Sequence, residues 1–155
     1  MKSNLQNLMG SDLPVGFFQV IHDKLIVGAQ PSERDLFMLK SYGISLVVNC
    51  IPEYEQTCDE QALVSRLGME YMCVGFDRAS GITIANAEAL MATLQSCANQ
   101  STFVHCQTGN RIGILVAIYH YFLLGKPEKE AISEGRLWGM RDTAAFMNIV
   151  EESRQ

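Results

Sequence analysis

Short apolar segments alternate with longer amphipathic segments along the chain, and polar turn residues separate them. The apolar segments are rich in β-branched residues, which is typical of strands in a buried sheet. The amphipathic segments begin near capping residues and end near glycine, which is typical of helices. We predict strands over residues 17–21, 24–27, 44–50, 71–76 and 102–105. We predict helices from 32 to 43, over 59–67, from 83 or 86 to about 97, over 111–124, from 127 onwards, and over 143–152.

The order of these elements predicts one α/β domain over residues 1–155, with residues 1–15 as an N-terminal arm. The first two strands flank His22-Asp23 and form a hairpin. The later strands alternate with helices, which favours a mainly parallel central sheet with helices on both faces. Ligands of such sheets bind beyond the carboxyl ends of the strands. Segments 49–54, 76–80 and 105–111 follow strands, so we expect them to meet there.

Charge and composition narrow the function. The chain has 155 residues, 48% of them apolar, and a net charge of −5. This excludes a nucleic-acid binder that depends on bulk positive charge, but it is compatible with one cationic pocket for a small anion. The longest apolar run, 112–124, is too short to cross a membrane. Residues 1–10 lack the apolar core of a signal peptide, so we expect a cytoplasmic protein.

The segment from His105 to Arg111 carries the clearest chemistry. Cys106 ends a buried strand, a polar loop with Gly109 follows, and Arg111 opens a helix. Amides at a helix N-terminus form a concave anion site, and an arginine can hold two oxygens of an oxyanion. The same surroundings favour a thiolate at Cys106, while His105 fixes the loop through backbone hydrogen bonds. The predicted anion-binding residues are His105, Gln107, Thr108, Gly109, Asn110 and Arg111.

The other cysteines offer weaker signals. An odd count of five and wide spacing argue against a disulfide framework or a zinc site. Cys58, Cys73 and Cys97 are interpreted as core residues. Cys50 also ends a predicted strand, and it is either a core cysteine or the partner of Cys106 in a reversible disulfide.

The run from His105-Cys106 to Arg111 resembles the active-site loop of the protein tyrosine and dual-specificity phosphatases. Residues 28–32, Gly-Ala-Gln-Pro-Ser, and the strand to Cys50 resemble the bacterial phosphatase-like domain found in beta-lactamase-hydrolase-like proteins. The resemblance covers about residues 17–125. It implies a cysteine-phosphatase-like fold, a phosphorylated substrate, and no metal or organic cofactor. Its reaction has two steps: Cys106 attacks a phosphate monoester, then water hydrolyses the cysteinyl-phosphate.

Asp77 is the candidate for the acid that protonates the leaving oxygen. It follows a predicted strand, and its spacing from Cys106 is similar to that of the dual-specificity group. Gly75 and Gly81 are expected to let this segment move. The alternative is that Asp77 is a turn or cap residue. Three rival acids, each more typical of a solvated loop charge, are Glu53, Glu55 and Asp59.

Two departures keep other functions open. Four residues separate Cys106 from Arg111, where tyrosine phosphatases usually have five, and Ile112 stands where they usually have serine or threonine. The shorter spacing is common in rhodanese-like sulfurtransferases, in which Cys106 would carry a persulfide and no general acid is needed. A third hypothesis is a non-catalytic module that binds a small anion.

Overall fold

Five strands form one central sheet in the computed structural model, which describes residues 18–155. They are β1 (Phe18–His22), β2 (Leu25–Gly28), β3 (Leu46–Asn49), β4 (Glu70–Cys73) and β5 (Thr102–His105). Their order in the sheet is β1-β2-β5-β3-β4. Only β1 and β2 pair antiparallel, as the predicted hairpin, and the other pairs are parallel. The predicted N-terminal arm and position 17 lie outside the described residues.

Within the described residues, six α-helices surround this sheet. They are α1 (Glu33–Ser41), α2 (Glu60–Arg66), α3 (Ile84–Ser96), α4 (Asn110–Ile118), α5 (Glu128–Leu137) and α6 (Thr143–Glu152). A short 3₁₀ turn, Glu53–Glu55, lies between β3 and α2. No helix within residues 18–155 is long and apolar enough to cross a membrane.

The helices cover both faces of the sheet, as predicted. Successive strand residues point to opposite faces, so the buried strands contribute to two separate cores. Val47 and Phe103 pack with Leu36 of α1 and Val64 of α2 on one face. The other face carries α3 to α6, which pack against Val48, Val104 and their neighbours. Burying one such side chain contributes about 1.5–3 kcal/mol, so the buried parallel strands form a stable platform for the loops at their carboxyl ends.

Local capping explains where the helices begin and end. Ser32 and Asp35 form a reciprocal capping box at the start of α1, and Gly43 follows that helix with a φ of 101°. This conformation favours glycine because it has no Cβ. Of the two predicted starts for α3, Thr83 is the cap, and its hydroxyl accepts a hydrogen bond from the Asn86 amide at 3.0 Å.

Three parts of the chain differ from the predictions. The predicted strand over 71–76 is shorter and lies at the sheet edge, so β4 is only half-buried and Cys73 is exposed. Cys58 is exposed in the loop before α2, so only Cys97 of the three predicted core cysteines is buried. The predicted helix over 111–124 widens into a π-helix at Tyr119–Leu123, where adjacent aromatic rings pack edge to face.

A close crossing of α4 and α5 sets the start of α4. A Cβ atom on Gly113 would collide with the backbone of Met140, and a Cβ on Gly135 would lie 2.8 Å from the carbonyl oxygen of Gly113. Glycine at both positions therefore allows the two helices to touch through their backbones. This contact brings residues 140–142 against the loop that precedes α4.

Candidate active site

The segments that follow β3, β4 and β5 meet at one edge of the sheet, as their positions after neighbouring strands predict. Arg111, at the start of α4, joins them. Its Nη1 donates to the carbonyl oxygen of Phe76 at 2.6 Å, and its Nη2 donates to Glu55 Oε1 at 3.1 Å. One side chain thus ties the loop after β5 to the loops after the other two strands.

The loop from Cys106 to Arg111 turns sharply between β5 and α4. Gly109 makes the turn with a φ of 89°, and its amide donates a hydrogen bond to Cys106 Sγ at 3.2 Å. The sulfur is almost fully shielded from solvent, yet it lines a cavity of about 420 Å³ together with Arg111. The cavity therefore brings together a sulfur, an amide donor and a guanidinium.

Glu55 holds the Arg111 guanidinium in place. The two side chains form a salt bridge of 3.1 Å, in which Arg111 is 8% exposed and Glu55 15% exposed. The expectation that Glu55 is a solvated loop charge is therefore wrong, because the 3₁₀ turn after β3 folds its carboxylate onto the arginine. A guanidinium carries more N–H donors than these contacts use, so donors remain for an anion in the cavity. Of the other rival acids, Asp59 caps α2 and Glu53 is exposed.

Asp77 lies beside the loop with its carboxylate engaged in a turn. It accepts hydrogen bonds from the Tyr54 hydroxyl, from the amides of Ala79 and Ser80, each at 2.8 Å, and from Ser80 Oγ at 3.0 Å. These bonds, the one from Tyr54 above all, hold the pKa of Asp77 well below its usual range. The same contact raises the pKa of Tyr54 to about 12. In this conformation Asp77 is an ionised turn residue, as the alternative interpretation describes.

The two glycines near Asp77 serve close packing. A Cβ on Gly75 would lie 2.7 Å from the Cα atom of Pro52, and a Cβ on Gly81 would collide with the backbone of Asp77. The amide of Gly81 also donates to the carbonyl oxygen of Asp77 at 2.8 Å. The expectation that these glycines provide mobility is therefore replaced by a steric reason for their presence.

Polar contacts fix the rim of the cavity. The Arg78 guanidinium contacts Gln107 Oε1, and Arg141 Nη2 donates to the carbonyl oxygen of Thr108 at 3.0 Å. Asn110 Oδ1 accepts hydrogen bonds from the amides of Arg141 at 2.7 Å and Asp142 at 2.9 Å. The side-chain oxygens of Gln107 and Asn110 are thus engaged by the protein itself, so an anion in the cavity would meet the loop backbone and Arg111.

A buried polar cluster lies behind the loop. His105 Nδ1 is 3.1 Å from the carbonyl oxygen of Cys106, and its Nε2 is 2.6 Å from Glu60 Oε2. Gln30 Nε2 donates to Glu60 Oε1 at 2.7 Å, and the backbone amide of Gln30 donates to the backbone carbonyl oxygen of Gln107 at 3.0 Å. Sequence reasoning missed Glu60, because a glutamate in the first turn of a helix is usually an exposed residue that favours the helix dipole.

Cys50 lies directly beside Cys106. Strand β3 pairs with β5 in the register Asn49 to His105, so the next residues of the two strands are neighbours. The Cys50 amide donates to the carbonyl oxygen of His105 at 2.8 Å. Burial raises the pKa of the Cys50 thiol, and the nearby Cys106 raises it further. Cys50 is therefore a protonated, fully buried thiol next to the candidate nucleophile.

Comparison with known proteins finds matches among solved structures. No protein-family profile matches the sequence, and no curated protein matches it. Solved structures do match. Tk-PTP in its active form has a TM-score of 0.68 at 18% identity over 87% of this chain and 94% of that chain. A DUF442 protein from Shewanella putrefaciens CN-32, described as a phosphatase by inference, has a TM-score of 0.66 at 19% identity over 89% and 88%.

A third similar structure was solved with a ligand. The serine-for-cysteine variant of TpbA from P. aeruginosa, in complex with phosphotyrosine, has a TM-score of 0.59 at 20% identity over 79% of this chain and 76% of that chain. The chain has the fold of the cysteine-dependent phosphatases. At these identities the likeness establishes the architecture, which agrees with the predicted cysteine-phosphatase-like α/β fold. This cysteine-phosphatase fold places the loop from Cys106 to Arg111 where β5 meets α4.

Proposed function

We propose that this protein is a cysteine-dependent phosphatase that hydrolyses phosphate monoesters. The observation that carries the proposal is the arrangement around Cys106. Its sulfur accepts a hydrogen bond from the Gly109 amide and shares a cavity with the buried Arg111, whose guanidinium is held by two hydrogen bonds. The phosphotyrosine complex of TpbA, which has the same fold, supports a phosphorylated substrate. The observed fold, which is that of phosphatases, supports this proposal. The spacing of four residues between Cys106 and Arg111 is also common in sulfurtransferases, so the experiment below tests both reactions.

The proposed reaction assigns a role to each side chain. The Cys106 thiolate attacks phosphorus, and the bond from phosphorus to the leaving oxygen breaks. Arg111 and the loop amides stabilise the charge on the equatorial oxygens. Asp77 supplies the proton to the leaving oxygen, which requires that its carboxyl group be protonated, and release from Tyr54 favours that protonation. Water then attacks phosphorus and releases inorganic phosphate and the free thiolate.

The experiment that tests the function compares two reactions of the wild-type protein. We expect release of inorganic phosphate from an aryl phosphate, and an acid-quenched sample should carry phosphate covalently bound at Cys106. Transfer of sulfur from thiosulfate to cyanide, without phosphate release, would show that the sulfurtransferase interpretation is correct. Tight phosphate binding without turnover of either substrate would identify a non-catalytic anion-binding module.

Asp77→Asn is expected to lower kcat on an aryl phosphate by about a hundredfold, since general acids contribute on the order of 10²–10⁴. Because the pKa of Asp77 is lowered, kcat of the wild-type protein should fall as the pH rises from the acidic range, and Asp77→Asn should lose this pH dependence. Tyr54→Phe removes the largest cause of the lowered pKa, so it should move the fall in kcat to higher pH. The matched control is Asp59→Asn at the cap of α2. An unchanged rate and pH profile in Asp77→Asn would exclude Asp77 as the acid.

Cys50 is proposed to protect Cys106 from irreversible oxidation. A peroxide converts the Cys106 thiolate to a sulfenic acid, and the Cys50 thiol then displaces water to form a disulfide. We expect the oxidised protein to lose about 2 Da and to regain its activity with dithiothreitol. Cys50→Ser should lose most of this recovery, whereas Cys97→Ser, a buried cysteine elsewhere, should keep it. Equal recovery in both variants would rule out the disulfide.

A further inference from the structure

Glu60 and His105 form a buried ionisable pair for which the proposed reaction, as described above, has no use. Glu60 is 1% exposed and His105 is fully buried. Removing a carboxylate and an imidazole from water is costly, and a pair of apolar side chains would fill the same space more cheaply. The pair lies on the face of the sheet covered by α1 and α2, where His105 stacks on the ring of Phe103 at 5.5 Å.

The hydrogen-bond partners fix where the protons lie. A carbonyl oxygen only accepts, so the contact of 3.1 Å to the Cys106 carbonyl requires a proton on His105 Nδ1. Glu60 Oε1 already accepts from Gln30. The contact of 2.6 Å between Glu60 Oε2 and His105 Nε2 therefore holds one shared proton. When that proton lies on His105, the positive end of the pair faces Cys106 and the negative end faces α2.

The same cluster aims the loop amides. In a trans peptide the C=O and N–H groups point in opposite directions, and the described chain contains no cis peptide bond. His105 holds the Cys106 carbonyl towards the buried cluster, so the backbone amide of Gln107 points the opposite way, into the loop. Gln30 likewise draws the Gln107 carbonyl backwards at 3.0 Å, so the amide of Thr108 points forwards.

We propose that Glu60 is a positioning residue of the anion loop, which acts through His105 to aim the Gln107 amide at the anion and to keep positive charge behind Cys106. For turnover, this inference rests on the proposed phosphatase function. Its primary readout is the ionisation of Cys106, which can be measured without any substrate.

Other titratable groups lie near Glu60 and near Cys106. Tyr71 and Cys73 of β4 and Cys58 before α2 are near Glu60, and burial is the largest cause that raises the pKa of each. They remain neutral at pH 7 and add no charge. On the far side of the sheet, Cys106 faces the cationic Arg111 with its partner Glu55, and the neutral thiol of Cys50.

The test is Glu60→Gln, which keeps the size of the side chain and the acceptor for Gln30 but removes the acidic proton. We expect the ultraviolet titration of the Cys106 thiolate, taken as the difference from Cys106→Ser, to move about one unit to higher pH. The pH at which alkylation by iodoacetamide reaches half of its maximal rate should rise by the same amount. The matched control is Glu70→Gln, since Glu70 is an exposed carboxylate that also accepts from a glutamine, Gln100, at 2.6 Å. The control should titrate as the wild type does.

A folded Glu60→Gln protein with the wild-type titration would overturn the inference. If that variant does not fold, nitrogen NMR of the wild-type protein decides, because the inference requires a proton on His105 Nδ1 and an unprotonated Nδ1 would contradict it. The two proposals fail separately. A wild-type protein that releases no phosphate but shows the shift with Glu60→Gln disproves only the phosphatase function. Phosphate turnover with an unmoved titration disproves only the role of Glu60.

Discussion

Cys106→Ser is expected to lower kcat on an aryl phosphate by about 10⁴-fold or more, which is the largest effect expected for any substitution in this protein. The serine hydroxyl fits the space of the thiol, and the Gly109 amide can still donate to it. A hydroxyl is not ionised at neutral pH, however, so it cannot attack phosphorus without a base to remove its proton. The measurement is phosphate release under saturating substrate, together with the affinity for inorganic phosphate.

The control for this prediction is Cys97→Ser, which changes a buried cysteine that does not line the cavity of Cys106. It should keep at least about half of the wild-type activity. The Cys106→Ser protein should still bind phosphate, because Arg111 and the loop amides are intact. Hydrolysis that survives in Cys106→Ser would show that the sulfur is not the nucleophile, and the cysteinyl-phosphate mechanism would be abandoned.

Arg111→Lys is expected to lower kcat/KM by about 10²–10³-fold, the usual cost of losing one donor to a developing oxyanion. Lysine keeps the positive charge, but it cannot reach Phe76 and Glu55 and also present a planar pair of donors to an anion. The loss should appear in kcat as well as KM, because the arginine contacts oxygens whose charge distribution changes during the reaction. Steady-state kinetics on an aryl phosphate measures both.

Arg141→Lys is the matched control, since Arg141 is exposed, its side chain contacts the Thr108 carbonyl, and the substitution leaves its backbone contact with Asn110 in place. We expect a change of less than about fivefold, in line with the small value of exposed contacts. Equal losses in the two variants would mean that Arg111 acts only as a support for the loop. Thermal unfolding of both proteins separates that outcome from simple destabilisation.

The fold and the local geometry of the loop could largely be predicted from the sequence. Both depend on neighbouring residues: strand periodicity, capping at Ser32, and glycine where φ is positive at Gly109. The side chains that support the loop could not be predicted in this way. Glu55 and Glu60 are close together in sequence, yet one reaches Arg111 and the other His105, on opposite faces of the sheet. Only the path of the chain after β3 decides which charge becomes buried.

The errors have related physical causes. Apolar composition suggested that Cys73 is buried, but β4 has a neighbour on one side only, so its last residue is exposed. For Asp77 the sequence correctly indicated a position at the carboxyl edge of the sheet. It contained no sign of the Tyr54 hydroxyl, which reaches Asp77 from the loop after β3 and changes its ionisation. Contacts between loops on different strands are the part that local patterns do not contain.

The amide oxygen of Asn110 links the first residue of α4 to the segment that leads into α6. It accepts hydrogen bonds from the backbone amides of Arg141 and Asp142. Asp142 in turn caps α6, because its Oδ1 accepts a hydrogen bond from the Ala145 amide at 3.0 Å. The C-terminal helix is thereby part of the scaffold of the anion loop, and not a separate appendage. Trimming the protein before residue 141 would remove both amides that bind Asn110, so any shortened version intended for crystallisation or binding assays should retain this segment and the helix that Asp142 caps.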